Sequence, residues 1–257
     1  MPLSDYVIIE VIQKSKKGKT CVAINNSPFN KEHPLVIIKT MFRDTEHFMF
    51  NNKDTNAPRE VFFYKLIENE NISPKLLQYF VDRVHVLVFE YLFGDWSDLF
   101  NFIVSSSPVE LRDKQIFINI VKALHELASK NIYHLDIKPE NIMVNKTSLE
   151  IKIIDYEDAI LNKSLFKVTN NKLAGTEYYM APERLSGEKY NVRKSIVYTL
   201  GVLLYTCIER INSPDKDFIF ETSSELAKKF IEKCVETDPK KRPKFKYLLN
   251  DEYFRNK

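Results

Sequence analysis

His134-Leu135-Asp136-Ile137-Lys138-Pro139-Glu140-Asn141-Ile142-Met143 is the stretch on which the reading of this chain turns. It gathers a carboxylate (Asp136), an ammonium (Lys138) and a side-chain amide (Asn141) in one tight loop. Phosphoryl transfer to a hydroxyl needs these three groups. The carboxylate orients the hydroxyl and takes its proton, the cation faces the moving phosphate, and the amide oxygen is a ligand for magnesium. Just downstream, Ile151-Lys152-Ile153-Ile154-Asp155-Tyr156-Glu157 runs an apolar strand into an acidic residue. A second hard oxygen at Asp155 suits the same metal. Alone, Asp136 would read as a turn or helix-cap carboxylate; its neighbours give it chemistry.

Outward from this loop the chain divides by pattern. The first ninety or so residues hold short β-branched runs, 7–12, 20–24 and 35–39, separated by polar turns. A helix is expected from Pro58 to Ile67, and a hairpin pairs 78–81 with 85–89 around Asp82-Arg83. The remainder reads as helices. Ile116, Ile120, Val121, Leu124 and Leu127 form an amphipathic stripe within 111–129. Two short strands follow near 142–144 and 151–154, then helices around 192–210, 223–236 and 245–249. A strand-rich part followed by a helix-rich part predicts an α+β fold with a cleft between the two.

Composition agrees with a globular protein and narrows its class. The chain has 257 residues, 44% of them apolar, and a formal charge of +3. That charge gives no case for nucleic-acid binding, and the basic runs Lys14–Lys19 and Lys240–Lys244 read as solvated surface. Cys21, Cys207 and Cys234 are widely spaced and form no C-x-x-C pair, which speaks against zinc and disulfide frameworks and for a reducing, intracellular setting. The apolar run 196–208 is too short to span a bilayer and reads as a buried helix. The N-terminus lacks the apolar stretch of a signal peptide, so a soluble protein is expected.

The ordered set of motifs resembles the eukaryotic protein kinases over nearly the whole chain. His134-Leu135-Asp136 is similar to the H-R-D catalytic loop, Asp155-Tyr156-Glu157 to D-F-G, and Gly175 through Ala181-Pro182-Glu183 to the end of an activation segment. The resemblance implies one kinase domain over 1–257, with an N-lobe to about residue 90, a hinge at about 90–94 and a C-lobe beyond. It implies ATP and magnesium as cofactors (manganese as a substitute), with Asp136 and Lys138 catalytic and Asn141 and Asp155 on the metal. Val36-Ile37-Ile38-Lys39 resembles V-A-I-K, which gives Lys39 to the α- and β-phosphates and Glu60 to Lys39. Ile12, Gly18, Thr20, Ile37, Glu90, Leu92 and Met143 join the nucleotide site, with Phe89 as gatekeeper. Glu183 and Arg242 are expected to form a structural ion pair. Lys138 and Thr176 match the Ser/Thr type, and Glu140 matches a position that reads basic substrates in some kinases, whereas Thr206 stands where a second acidic residue would be.

Four departures qualify the resemblance. Gln13-Lys14-Ser15-Lys16-Lys17-Gly18 keeps only the last glycine of the phosphate loop, which predicts weakened nucleotide binding. Leu135 replaces the arginine that would receive a phosphorylated activation loop, so phosphorylation at Thr169 is expected not to control activity. Ile196 replaces an aspartate that supports the catalytic loop, and apolar packing with Leu135 is the expected substitute. Glu157 replaces the D-F-G glycine and is expected to restrict flipping there. None of these removes Lys39, Asp136, Asn141 or Asp155.

Two other classes stay open: a catalytically dead scaffold, and a small-molecule kinase of the aminoglycoside or choline type. The compact chain, rich in Asn, Lys, Ile and Phe, is similar in look to kinases of insect baculoviruses and granuloviruses. That likeness implies a role late in infection in the host cytoplasm or nucleus, with a basic, DNA-condensing protein as substrate. No membrane or direct nucleic-acid partner is expected, and the oligomeric state is left open.

Overall fold

The computed structural model describes residues 3–26, 32–42, 47–50, 53–163, 166–167, 175–187, 189–211 and 217–255, with backbone alone for 47–50, 53–56 and 166–167. Glu46 and Thr169 lie outside the described residues. The chain divides into two compact units, Met1–Gly94 with Ile154–Glu157, and Asp95–Ile153 with Asp158–Lys257. Asp155 therefore belongs with the strand-rich unit, although it lies far beyond the rest of that unit in sequence.

In the strand-rich unit, β1 (Tyr6–Lys14), β2 (Gly18–Asn25) and β3 (Leu35–Met41) precede a hairpin of β4 (His47–Phe50) and β5 (Lys53–Pro58). Then come α1 (Arg59–Leu66), β6 (Leu76–Asp82) and β7 (Val84–Glu90). Five strands form one antiparallel sheet in the order β1-β2-β3-β7-β6. Alternation along the strands gives the sheet two faces. Ala23, Val36, Ile38, Val86 and Val88 fill one, with Tyr6. The register pairs Thr20 with Lys39 and Val22 with Ile37 on β2, and Leu87 with Lys39 and Phe89 with Ile37 on β7, so these residues share the opposite face. α1 covers that second face: Glu60 meets Lys39, and the Tyr64 ring packs on Phe89 at 4.7 Å. The β6–β7 turn closes through Arg83, which adopts a left-handed conformation at φ 55°.

The helix-rich unit opens with β8 (Trp96–Asp98), α2 (Leu99–Ser105) and α3 (Glu110–Ser129). Asp98 caps α2 by accepting from the Asn101 amide at 2.8 Å. The α3 stripe is buried as expected, with Phe117 added to it. Short strands follow: β9 (Ile132–Tyr133), β10 (Ile142–Asn145), β11 (Ile151–Ile153), β12 (Ile160–Leu161) and β13 (Phe166–Lys167). After α4 (Pro182–Leu185) and β14 (Tyr190–Asn191) comes α5 (Val192–Glu209), then α6 (Glu225–Cys234) and α7 (Glu252–Arg255). α5 is buried along nearly its whole length and is the central support of this unit. The helix expected at 245–249 is a 3₁₀ helix, Phe245–Asn250, which inserts Phe245 and Leu248 into the core. Tyr253 is also core, while Tyr247 is half exposed. The β4–β5 hairpin and the β8–α2 segment escaped the sequence reading, the first because neither His47–Phe50 nor Lys53–Pro58 alternates apolar with polar residues over a strand's length. All three cysteines are buried and free. Among the described residues no helix is long and apolar enough to cross a membrane.

Candidate active site

In the strand-rich unit the expected lysine sits between two carboxylates. Lys39 Nζ lies 2.7 Å from Glu60 Oε2 and 2.8 Å from Asp155 Oδ1. Burial alone would pull the Lys39 ammonium down, but Glu60 and Asp155 together hold it above its ordinary value. Glu60 fares differently. Its carboxylate is fully buried, so desolvation pushes it up to about 7, only partly offset by Lys39. Lys39 is thus held towards its charged form, while burial pushes Glu60 towards its neutral one.

Asp155 is held by its neighbours. It adopts φ 65°, and its amide donates to Tyr64 Oη at 3.3 Å. Tyr156 is fully buried, its ring packed edge-on to Tyr64 at 5.0 Å and its hydroxyl bonded to Ser73 Oγ at 2.7 Å. Turning this segment over would expose an aromatic ring and separate a buried hydroxyl pair. These contacts of Tyr156 oppose such a turn whatever residue follows at 157. Glu157, next in line, pairs with Lys17.

In the helix-rich unit the 134–141 loop is a closed hydrogen-bond network. Asp136 Oδ1 accepts from Thr176 Oγ1 at 2.8 Å, and Oδ2 accepts from Asn141 Nδ2 at 3.0 Å. Asn141 Nδ2 also donates to the Asp136 carbonyl at 2.8 Å. Lys138 Nζ donates to Thr176 Oγ1 at 2.8 Å and lies 3.0 Å from Asp136 Oδ2. Thr176 thus ties carboxylate to ammonium, as the Ser/Thr-type resemblance implies. One residue earlier, Leu135 is buried in the left-handed region at φ 65°. Its carbonyl accepts from Arg184 Nη1 at 3.1 Å, a buried bond across 49 residues. Gly175 must be glycine beside it: it has φ 99°, and a Cβ there would lie 2.5 Å from the Leu135 carbonyl oxygen. Ile196 and Leu135 are each buried, but the bond to the Leu135 carbonyl comes from Arg184, which the sequence reading did not single out. The expected Glu183–Arg242 pair is bidentate, at 2.7 and 2.8 Å, with the arginine fully buried.

The remaining expected residues take these places. Thr20 and Ile37 share the Lys39 face of the sheet. Gly18 lies so close to β3 that a Cβ would come within 1.8 Å of the Thr40 carbonyl oxygen. Ile12 is 55% exposed near the end of β1. Glu90 ends β7, its carboxylate accepting from the Lys75 amide at 3.0 Å, and Leu92 follows it half-buried. Met143 is half-buried on β10, in register with Asp98 and Lys152. Glu140 is exposed, whereas Thr206 is buried in α5, bonded to the Val202 carbonyl at 3.0 Å. Lys14, Lys16 and Lys17 are exposed, as their basic run suggested.

Comparison with known proteins agrees with this geometry. The model of the protein kinase domain matches residues 17–216. The chain is 32% identical over 219 residues to the serine/threonine-protein kinase PSK2 of Saccharomyces cerevisiae, covering 81% of this chain and 19% of that protein. It is 28% identical over 274 residues to PSK1 of the same yeast, covering 97% and 19%. A probable serine/threonine-protein kinase, the KIN1 homolog of Encephalitozoon cuniculi, is 30% identical over 159 residues, 60% of this chain and 27% of that protein. The chain thus spans about a fifth of the length of the two yeast relatives. With the kinase model covering most of its length and the motif residues set in an α+β framework, this chain belongs to the protein kinase domain family.

Proposed function

We propose that the chain is a serine/threonine protein kinase using ATP and magnesium. The observation that carries this reading is the orientation of Asp136, whose two oxygens are fixed by Thr176 and Asn141 with Lys138 beside them. The donor set suits the cofactor: Lys39 is a permanent cation on a largely apolar sheet face, and Asp155 and Asn141 offer oxygen ligands for a hard metal. Magnesium-ATP, when bound, supplies the phosphoryl group and a stabilised leaving diphosphate. In this reading Lys39 holds the α- and β-phosphates, with Glu60 fixing its position. Asp136 orients the substrate serine or threonine hydroxyl and accepts its proton. Lys138 neutralises charge on the transferred group, and Thr176 keeps both in register. Ile12, Gly18, Thr20, Ile37, Glu90, Leu92 and Met143 serve the nucleotide.

The finer reading adds a basic protein as substrate, supported by the exposed carboxylate of Glu140 and not by the buried Thr206. A late role in insect-virus infection rests on composition alone, and the relatives named above are proteins of yeast and of Encephalitozoon cuniculi. Three buried free thiols support an intracellular, reducing setting.

The test is incubation of the purified protein with labelled ATP, magnesium and a basic test protein, beside Asp136→Asn. Label on serine or threonine that vanishes in the variant is the expected result. Silence of the wild type with both magnesium and manganese would favour the scaffold reading, and turnover of aminoglycosides or choline would favour the small-molecule class.

A further inference from the structure

The turn between β1 and β2 has Gln13 and Ser15 at the glycine positions of the resemblance and lysines at the positions between, yet its backbone is firmly placed. Lys14 pairs with Lys19 to close the hairpin. The Ser15 amide donates to the Gly18 carbonyl at 2.9 Å, and the Lys17 amide donates to Ser15 Oγ at 3.1 Å. The Phe42 amide donates to the Lys17 carbonyl at 2.9 Å, fastening the turn to the end of β3. Lys17 thus has a fixed root, while its side chain is 69% exposed. The ammonium rests on Glu157, two residues beyond Asp155. Lys39 on β3 and Lys17 in the β1–β2 turn therefore meet two carboxylates of one short segment, Asp155 and Glu157.

The two pairs differ in strength. Lys39 is enclosed by Glu60 and Asp155 and stays where it is. The Lys17–Glu157 pair is open to water, and such pairs change an equilibrium by about fivefold or less. A polyphosphate carries more charge than one carboxylate and is a better partner for an exposed ammonium.

We propose that Lys17 is a ligand of the nucleotide phosphates, held on Glu157 until nucleotide arrives, and that it replaces backbone N–H contacts made awkward by Gln13 and Ser15. This rests on the reading of the chain as an ATP-dependent kinase. Glu157 then competes with ATP for Lys17. The consequence is an asymmetric pair of variants. Lys17→Ala weakens ATP binding roughly three- to tenfold, whereas Glu157→Gln releases the lysine and tightens it roughly two- to fivefold. Neither alters binding of adenosine, which has no phosphate. In the double variant the effect of Glu157→Gln disappears, because it acts through Lys17.

The experiment is calorimetric titration of wild type, both single variants and the double variant with magnesium-ATP and with adenosine. Unchanged adenosine binding certifies the fold of each variant. The expected result is the asymmetric pair, with the Glu157→Gln gain lost once Lys17→Ala is also present. Equal ATP affinity in wild type and Lys17→Ala overturns the proposal alone. So does a Glu157→Gln gain that persists without Lys17, since Glu157 would then act by its own charge. A wild type that binds neither ATP nor adenosine overturns the nucleotide-dependent reading and this proposal with it.

Discussion

Asp136 accepts from two side chains that come from different parts of the chain, and this fixes both of its oxygens. Thr176 contributes one of these bonds and also receives Lys138, so a single hydroxyl positions the Asp136 carboxylate and the Lys138 ammonium together. Thr176→Ala should lower kcat by roughly ten- to a hundredfold, since small misplacements of reacting groups are costly. The ATP KM should change little, because Lys39 and Asp155 are untouched; steady-state kinetics on both substrates checks this. Arg242 is a residue-scale case of stability rather than chemistry. Its buried guanidinium is satisfied by Glu183 and by the Glu236, Thr237 and Lys194 carbonyls. Glu183→Ala leaves a buried positive charge without its counter-ion and should cost about 3 kcal/mol, read as a lowered denaturation midpoint at constant m.

Among the elements, α1 and the 154–157 segment act as one piece. Tyr64 contributes its hydroxyl to the Asp155 amide and its ring to Phe89 and Tyr156. Ser73, just beyond α1, bonds the Tyr156 hydroxyl. Tyr156→Phe keeps the ring stack but strands the buried Ser73 hydroxyl, and should destabilise by about 1–2 kcal/mol. It should also raise amide hydrogen exchange at 154–157, because the bond that resists local opening is gone. An exchange pattern equal to wild type would show that ring packing alone holds the segment. In the other unit, Arg184 links α4 to the loop that precedes Asp136, and Thr199 of α5 donates to the Tyr179 carbonyl at 2.8 Å.

Across the protein as a whole, pH should act first through Glu60. Its folded value, about 7, lies above the ordinary 4.5, so the folded protein holds that proton more tightly than the unfolded chain. The stabilisation linked to it is fully present below 4.5 and is lost as pH rises through about 7. Glu60→Gln removes this titration. The wild-type melting temperature should therefore fall relative to that of the variant over this window, as measured by calorimetry across pH. Parallel curves would mean that Glu60 is ionised throughout and that Lys39 fully compensates its burial. Lys39 adds no slope there, since its ammonium is held above its ordinary value, far from neutral pH.

The family, the strand-rich and helix-rich division, and the gathering of Asp136, Lys138 and Asn141 in one loop were all legible in the order of residues. The reason is that Asp136, Lys138 and Asn141 are close neighbours in the chain, and a loop that short brings them together by local geometry. The α3 stripe and the β-branched run of β3 were legible for the same reason, because each pattern is local. Which distant groups meet was left to the packing of the folded chain. Leu135 is held by Arg184 across 49 residues, and Lys17 meets Glu157 across 140, and neither residue carries a local pattern that announces its partner. The form of Phe245–Asn250 was decided in the same way, by burial of Phe245 and Leu248 rather than by propensity. Spacing along the chain sets what a short loop can gather, whereas side chains far apart in sequence meet only where packing of the elements carries them.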